Sequence, residues 1–256
     1  VKQRCYMKKI TIGKNDGTNL AAWLDLPPQP FYLVIVCHGF FGAKENRGRI
    51  FTLAAEFYTR GLGTLAFDFG GSGESGGEFS SVTLSSQADD LKTVIDYVEE
   101  NFKLPLILLG RSFGGSTILA LRQHPSSVKG CIFWSAPLDV KNTFQRILGN
   151  LYEELAEGRN IKVMDGEREY ILRPELVRDF DQHELQRNLA VLSGKPAFIC
   201  HGQADEVVDF TNALAIHESL PRSTLALIEN ADHRFTDMIE LREEITLQWL
   251  EDTFLK

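Results

Sequence analysis

Short apolar runs alternate with segments of helical periodicity along most of the chain. Continuous runs that are rich in β-branched residues indicate strands buried on both faces of a parallel sheet. Such strands are expected at residues 33–38, 63–69, 105–110, 128–136, 196–202 and 224–230. Two earlier segments, KKITIGK and LAAWLDLP, are joined by the turn sequence NDGT and predict a β-hairpin.

Apolar side chains at spacings of three and four residues predict helices between these strands. One stripe contains Leu84, Ala88, Leu91, Ile95, Val98 and Phe102, and another near the C-terminus contains Leu241, Ile245, Trp249 and Leu250. Strands that alternate with helices at these lengths predict a mainly parallel sheet with helices on both faces. Ligands are then expected at the carboxyl ends of the strands.

Residues from about 138 to 192 interrupt the alternation, since they contain no run of the parallel-strand type. Their first part carries a helical stripe made of Phe144, Leu148, Leu151 and Leu155. A small hairpin is expected to turn at Asp165-Gly166, and RPELVRDF predicts a short helix with Pro174 in its first turn. A segment this short would hardly bury a core of its own. We therefore expect one domain over residues 1–256, with a lid at about 138–192.

The composition is that of a soluble globular protein, with 43% hydrophobic and 24% charged residues. The formal net charge of −8 argues against a nucleic-acid surface, which needs clustered Lys and Arg. No His/Cys/Asp cluster has the spacing of metal ligands. Neither a metal nor an organic cofactor is expected.

The cysteines Cys5, Cys37, Cys131 and Cys200 form no CxxC pair, and three of them lie in predicted strands. Buried free thiols are expected, which suits a reducing compartment. The first residues lack the apolar region of a secretory signal, and no stretch of 18 apolar residues occurs. We expect a cytoplasmic protein without a membrane segment.

The strongest local signal is the sequence GRSFGG at residues 110–115, directly after one predicted strand and directly before a helical segment. This is a G-x-S-x-G pattern in the strand–turn–helix context of a nucleophile elbow. A sharp turn leaves no room for side chains at Gly110 and Gly114. It presents the Ser112 hydroxyl at a helix N-terminus, where developing negative charge is stabilised.

A serine nucleophile needs a base, and the chain has six histidines. Ordinary surface positions are expected for His124, His183 and His217. His38 and His201 both end strands before a glycine and are interpreted as residues that shape the backbone. His233 lies in the loop NADHRF between the last strand and the last helix, and it is the predicted base.

The predicted orienting acid is Asp205, which follows the strand PAFIC in the segment HGQADEVV. Two other carboxylates remain as alternatives: the adjacent Glu206, and Asp139 after the strand CIFWSAP. Asp232, beside the predicted base, is interpreted as a turn residue. Asp68 is expected to stabilise its own loop.

Five segments together resemble the α/β-hydrolase family: HGF at 38–40, DFGGSGES at 68–75, GRSFGG at 110–115, HGQADEVV at 201–208 and DHRF at 232–235. The resemblance extends over nearly the whole chain and implies an α/β-hydrolase fold with about eight strands, a mostly parallel sheet and a lid after the sixth strand. It also implies a triad, because the order Ser112, Asp205, His233 is the order of that family.

Within the family, the chain is similar to the cinnamoyl/feruloyl-type esterases and the serine aminopeptidase-like hydrolases. It departs from those esterases at Arg111-Ser112-Phe113, where they usually have His-Ser-Gln. The resemblance implies an oxyanion hole formed by the N–H groups of Phe40 and Phe113. Phe41 and Trp134 are expected to join them in an apolar wall that binds the substrate.

The expected function is hydrolysis of carboxylic esters with small acyl or aromatic-acyl groups, so the expected partner is a small-molecule ester. A peptidase, thioesterase or acyltransferase with the same acyl-enzyme intermediate remains an alternative, because the lid determines substrate choice. A third alternative is a catalytically silent member of the fold that binds a small molecule or a partner. The oligomeric state is not predicted.

Overall fold

A computed structural model describes residues 7–256 of the chain. The strands are β1 Lys8–Gly13, β2 Asn19–Asp25, β3 Tyr32–Cys37, β4 Leu62–Phe67, β5 Leu106–Arg111, β6 Val128–Trp134, β7 Ile161–Asp165, β8 Arg168–Leu172, β9 Ala197–Gly202 and β10 Ser223–Ile228. The α-helices are α1 Arg49–Thr59, α2 Leu84–Asn101, α3 Phe113–Ala120, α4 Val140–Leu148, α5 Asn150–Ala156, α6 Pro174–Phe180, α7 Leu185–Asn188, α8 Thr211–Ser219 and α9 Ile239–Phe254.

The central sheet contains eight strands in the order β1-β2-β4-β3-β5-β6-β9-β10. The strand β2 pairs antiparallel with both β1 and β4, and all the other pairs are parallel. The prediction of a mostly parallel sheet of about eight strands is confirmed. Since β3 and β6 flank β5, the turn that follows β5 lies in the middle of the carboxyl edge of the sheet.

Helices pack on both faces of the sheet, as the sequence predicts. Alternate residues of β5 divide between two apolar clusters, with Leu108 in one and Leu109 in the other. The first cluster includes Leu91 of α2, and the second includes Phe57 of α1 and Leu250 of α9. The two faces of the sheet therefore have separate apolar cores.

The segment between β6 and β9 lacks a strand of the central sheet and forms a cap of short elements. The hairpin β7–β8 turns at Gly166, whose φ of 61° suits glycine, and Pro174 begins α6. The apolar stripe from Phe144 to Leu155 is divided between two helices rather than forming one. The reason is Gly149, whose φ of 54° and ψ of −130° end α4 and redirect the chain into α5.

Cap side chains are continuous with the core of the adjacent sheet face. Phe144, Leu155 and Phe180 belong to the same buried cluster as Leu108 of the central sheet. The cap thus shares its apolar core with the body of the molecule.

A polar contact also joins the cap to the body at the N-terminus of α2. The carboxylate of Asp179 accepts hydrogen bonds from the Ser85 N–H at 2.8 Å and the Ser85 Oγ at 2.6 Å. The Nε2 atom of His183 lies 2.9 Å from the Ser85 Oγ and 3.3 Å from the Asp179 carboxylate. The expectation that His183 is an ordinary surface residue is wrong, since only 6% of its side chain is exposed.

Three cysteines in central strands, Cys37, Cys131 and Cys200, are free and buried, whereas Cys5 lies outside the described residues. Burial raises the pKa of the Cys131 and Cys200 thiols to about 12. Within residues 7–256, none of the helices has the length and apolar character needed to cross a membrane.

Candidate active site

Ser112 stands on the turn between β5 and α3 with a backbone conformation that is rare for a residue with a side chain. Its φ is 51° and its ψ is −125°, and its N–H donates to the Trp134 carbonyl at 2.8 Å. A Cβ atom on Gly110 would lie 2.5 Å from the Gly115 Cα, and one on Gly114 would clash with the Cys37 carbonyl. The turn has the close packing that the GRSFGG sequence predicts.

The loops after β9 and β10 bring two further predicted residues to Ser112. The His233 Nε2 lies 3.1 Å from the Ser112 Oγ, and its Nδ1 lies 2.8 Å from the Asp205 Oδ2. An ionised carboxylate only accepts hydrogen bonds, so the Nδ1 carries the proton and the Nε2 is free to accept one from Ser112. The three side chains form one hydrogen-bonded chain.

Asp205 is buried and is fixed by several donors. The N–H groups of Val207 and Val208 donate to its Oδ1 at 2.9 and 2.7 Å. Burial opposes the charge of Asp205, but hydrogen bonds from His201 and His233 and the N–H of Val208 outweigh it and hold its pKa well below 3.8. The carboxylate is therefore an anion across the physiological pH range.

The two alternative acids occupy other positions. Asp139 is exposed and accepts a hydrogen bond from the Asn142 N–H at 3.0 Å, so it caps the start of α4. Glu206 is exposed and accepts from the backbone N–H of His233 at 3.1 Å, not from its ring. Of the three candidates, only Asp205 contacts the imidazole of His233.

His38, directly after β3, shapes the backbone beside the site, as the sequence indicates. The His38 Nδ1 donates to the Gly39 carbonyl at 2.8 Å, and its Nε2 accepts from the Phe69 N–H at 3.1 Å. Burial lowers the pKa of this imidazole, which keeps it neutral. His38 thereby fixes the loop that leads into Phe40.

The two predicted oxyanion donors lie on loops beside Ser112. Phe113 is the first residue of α3, and Phe40 follows Gly39, whose Cβ position would be 3.3 Å from the Ser112 Cβ. Neither the Phe40 N–H nor the Phe113 N–H donates to any acceptor within residues 7–256. Both groups remain available to a ligand.

An aromatic cluster joins this loop to the cap, with neighbouring ring centroids 4.6 to 6.2 Å apart. Its members are Phe40, Phe41, Phe79, Phe113, Phe144, Tyr170 and Phe180. Phe113 is buried, whereas Phe41, Phe79 and Tyr170 are partly exposed. The exposed rings provide an apolar surface near the loop that carries Phe40.

Trp134 does not belong to the aromatic cluster. It is buried against the opposite face of the sheet, where its Nε1 donates to the Thr246 Oγ1 at 3.0 Å and the Arg242 guanidinium lies 4.0 Å from its ring centroid. The position corrects the prediction that Trp134 joins the phenylalanines in one apolar wall. The physical reason is the alternation of side chains along β6.

Sequence reasoning missed Phe79 and Tyr170 as neighbours of Phe41. Their ring centroids lie 5.5 and 4.9 Å from that of Phe41. Phe79 follows the glycine-rich loop and Tyr170 lies on the cap hairpin, so no local pattern connects them to the nucleophile. In the described part of the chain, no group of three or more His, Cys, Asp or Glu residues could hold a metal ion.

Comparison with known proteins gives a family match and several relatives. A family model described as "Serine aminopeptidase, S33" matches residues 28–188. The chain is 29% identical over 214 residues to the uncharacterized protein YfhR of Salmonella typhimurium, a match that spans 80% of this chain and 67% of that protein. It is 24% identical over 200 residues to the mitochondrial palmitoyl-protein thioesterase ABHD10 of Homo sapiens, over 74% of this chain and 64% of that protein.

Solved structures share the whole architecture. Est1E from Butyrivibrio proteoclasticus, with ferulic acid bound, has a TM-score of 0.80 at 24% identity, over 96% of this chain and 100% of that chain. A putative hydrolase from Agrobacterium vitis has a TM-score of 0.78 at 25% identity, over 97% of this chain and 98% of that chain. These likenesses establish the α/β-hydrolase fold.

Proposed function

Because the chain belongs to the serine aminopeptidase family of α/β-hydrolases, we propose that it is a serine hydrolase that cleaves carboxylic esters. The observation that carries the proposal is the hydrogen-bonded chain from Ser112 through His233 to Asp205. The substrates proposed are esters with small acyl or aromatic-acyl groups, including those of cinnamoyl or feruloyl type.

In the proposed reaction, the Ser112 Oγ attacks the acyl carbon while the His233 Nε2 accepts its proton. The carbonyl π electrons move onto the oxygen, and collapse of this intermediate expels the alcohol, which takes the proton from His233. Water then attacks the acyl-enzyme by the same route, and the carboxylic acid leaves as Ser112 regains its proton. The Asp205 anion stabilises the imidazolium that forms in each step.

The N–H groups of Phe40 and Phe113 are proposed to bind the oxyanion. Their lack of acceptors within residues 7–256 supports this role, as does the position of Phe113 at the N-terminus of α3. Loss of one such donor typically raises the barrier by about 2.7–4 kcal/mol.

The aromatic cluster supports the preference for apolar and aromatic groups. Phe41, Phe79 and Tyr170 are partly exposed and belong to three separate segments of the chain. Phe41 and Phe79 contact the ring of Phe40, and Tyr170 contacts both of them. A ligand ring can pack edge-to-face or stacked against such surfaces. Est1E, which shares the fold, has a structure with ferulic acid bound.

The proposed activity is tested with para-nitrophenyl esters and hydroxycinnamate methyl esters. We expect turnover by the natural chain, and its loss in Ser112→Ala without loss of the fold, as circular dichroism would show. Ser126→Ala is the matched control, because Ser126 is exposed and precedes β6, at the edge of the sheet opposite to the turn that carries Ser112. Equal turnover by Ser112→Ala and the natural chain would refute the role of Ser112.

A thioesterase is a second candidate, because the human relative ABHD10 is described as a palmitoyl-protein thioesterase. The family description also names an aminopeptidase. Acyl thioesters and aminoacyl para-nitroanilides therefore join the substrate panel. A kcat/KM for either of them above that of every oxygen ester would replace the esterase proposal.

We further propose that the protein works in a reducing compartment, the cytoplasm. Three free, buried cysteines support this location. Tagged full-length protein followed by cell fractionation tests it, and recovery outside the cytoplasm would contradict it.

A further inference from the structure

Arg111 ends β5 directly before the nucleophile, at the position where the chain departs from the cinnamoyl and feruloyl esterases. Its side chain is partly buried, yet it forms no hydrogen bond and no ion pair with any residue between 7 and 256. A guanidinium has five N–H donors, and no nitrogen of Arg111 is among the buried polar atoms that lack a partner, so these donors are open to solvent or to a ligand. The residue is thus a cation without a partner among the described residues.

This guanidinium lies beside the reacting atoms. A Cβ atom placed on Gly39 would be 3.6 Å from the Arg111 Nη1 and 3.3 Å from the Ser112 Cβ. Gly39 directly precedes Phe40, the proposed oxyanion donor. Along β5, Arg111 continues the alternation of Ile107 and Leu109, whereas the aromatic cluster belongs to the other face of the sheet. The cation and the aromatic cluster therefore lie on different sides of the nucleophile.

Further positive charge surrounds Arg111. Burial is the largest cause of the lowered pKa of Arg111. The positive charges of Arg234 and Arg47 lower this pKa further, because they repel the guanidinium. Arg47 is exposed and makes no ion pair with the described residues, while Arg234 reaches only Asp165, at 3.6 Å. Arg242, on the same side, is likewise affected by the charge of Arg111.

The two carboxylates whose charges act on Arg111 are already engaged by other groups. Asp205 and Asp232 attract Arg111 through space, without a hydrogen bond or ion pair to it. Asp205 binds His233 and two backbone N–H groups, and Asp232 accepts from the N–H of Thr236 at 2.8 Å. The site therefore has positive charge beside the nucleophile that no carboxylate of residues 7–256 neutralises by contact.

We propose that Arg111 is a specificity-determining residue that binds a carboxylate on the substrate. A planar carboxylate accepts two parallel hydrogen bonds from a guanidinium, and Lys offers no such fork. The inference rests on the proposed ester hydrolysis and narrows it: the preferred substrates carry an apolar or aromatic group on one side of Ser112 and a carboxylate, separate from the scissile ester, near Arg111.

Two matched pairs of esters test this preference. In the first, para-acetoxybenzoate is compared with para-acetoxybenzamide, so that the charge lies on the alcohol part. In the second, monobenzyl succinate is compared with benzyl pentanoate, so that the charge lies on the acyl part. In at least one pair we expect the natural chain to have a kcat/KM about tenfold higher for the anionic ester, which equals about 1.4 kcal/mol.

The preference should depend on the charge and shape of residue 111. In Arg111→Gln the anionic-to-neutral ratio of kcat/KM should fall to near one, whereas Arg111→Lys should retain part of it. Arg122→Gln is the matched control, since Arg122 is exposed and makes no ion pair with the described residues. It should keep the full ratio.

Binding without turnover separates this inference from the proposed reaction. In a Ser112→Ala background, calorimetry should show tighter binding of the anionic member of the preferred pair, and Arg111→Gln should remove that difference. An unchanged ratio or unchanged binding difference in Arg111→Gln overturns the inference, as does equal binding of both members by the parent. Lack of hydrolysis of every ester in both pairs, anionic or neutral, with charge-dependent binding intact, overturns only the proposed reaction.

Discussion

At the scale of single residues, Ser112 has a backbone conformation that residues with a side chain rarely adopt. A φ of 51° costs an ordinary residue about 1–3 kcal/mol, so the surrounding structure must enforce it. The hydrogen bond to the Trp134 carbonyl and the close contacts at Gly110 and Gly114 do so. This strained conformation places the Ser112 hydroxyl at the N-terminus of α3, where it faces His233.

The choice of acid gives a prediction at this scale. Asp205→Asn should lower kcat by about 10⁴, because an amide no longer favours the tautomer with a proton on the His233 Nδ1. Asp139→Asn is the control, since Asp139 only caps α4, and its kcat should stay near that of the natural chain. Steady-state kinetics on one ester measures both. The assignment of Asp205 fails if Asp139→Asn is the more damaging change.

The sequence predicted Ser112 and His233 because each follows a recognisable strand in a distinct local pattern. Trp134 was misplaced because the face of a strand residue depends on the register of that strand, which a nine-residue apolar run leaves open. Phe79 and Tyr170 had no local signal, since only the packing of the cap brings them to Phe41. Side chains selected by tertiary packing are invisible to motif and periodicity.

At the scale of elements, α2 connects the body to the cap. Its first turn has a capping box between Thr83 and Ser86, and the Asp179 carboxylate of α6 binds the N–H of Ser85 beside it. A negative charge at a helix N-terminus is favourable, and here it comes from another element. The contact explains how short cap helices keep a defined position over the strand ends.

We predict that Asp179→Asn lowers the free energy of unfolding by about 1–2 kcal/mol, because a charged acceptor of two hydrogen bonds is lost. Urea denaturation measures the change. The control is Asp181→Asn, because Asp181 is exposed and pairs only with the exposed Lys141, so its effect should stay below about 0.5 kcal/mol. Equal losses of unfolding free energy in the two variants would mean that the contact between Asp179 and α2 does not stabilise the fold.

Element type was easier to predict than element boundaries in the cap. The apolar periodicity from Phe144 to Leu155 continues through Gly149, so a single helix was the natural expectation. The break depends on the backbone conformation of one glycine. The hairpin and the helix at Pro174 were predictable because Asp-Gly turns and a proline in the first turn have direct steric causes.

At the scale of the whole molecule, a buried lysine ties together loops distant in sequence. The Lys44 side chain is fully buried, with its Nζ 2.7 Å from both Asp68 and Glu74 and 2.9 Å from Glu45. Desolvation opposes its charge, but the hydrogen bonds that Lys44 donates to these carboxylates outweigh it and raise the pKa of Lys44. The glycine-rich loop that contains Glu74 is therefore anchored beside the loop that carries Phe40.

This ion cluster predicts the response of the fold to acid. Hydrogen bonds from Lys44 and Lys9 lower the pKa of Glu74 from 4.5 to about 2. A carboxylate with a lowered pKa in the folded state contributes stability above pH 4.5, and the contribution is lost as the pH falls towards 2. Glu74→Gln should therefore lower the Tm near pH 6 and converge with the natural chain at low pH.

The control for the acid response is Glu218→Gln, since Glu218 is exposed and makes no ion pair with the described residues. Its Tm should follow that of the natural chain at every pH. Parallel curves for Glu74→Gln and the natural chain over the whole range would contradict the stabilising role of the ion cluster.

The order of the strands in the sheet could not be predicted from the pattern of strands and helices. The alternation of strands and helices predicted a parallel sheet, but not that β4 lies between β2 and β3. That order depends on the paths of the crossover helices and on which faces they bury. The position of the nucleophile was predictable nevertheless, because carboxyl ends of parallel strands share one edge in any order.

Covalent labelling tests most directly whether Ser112 is a nucleophile activated by His233. A fluorophosphonate should form one adduct, which peptide mass spectrometry assigns to Ser112. The labelling rate should fall at least about 100-fold in His233→Ala, in line with the usual contribution of a general base, and should persist in the control His217→Ala. Labelling at another residue, no labelling of the natural chain, or an undiminished rate in His233→Ala would contradict the account.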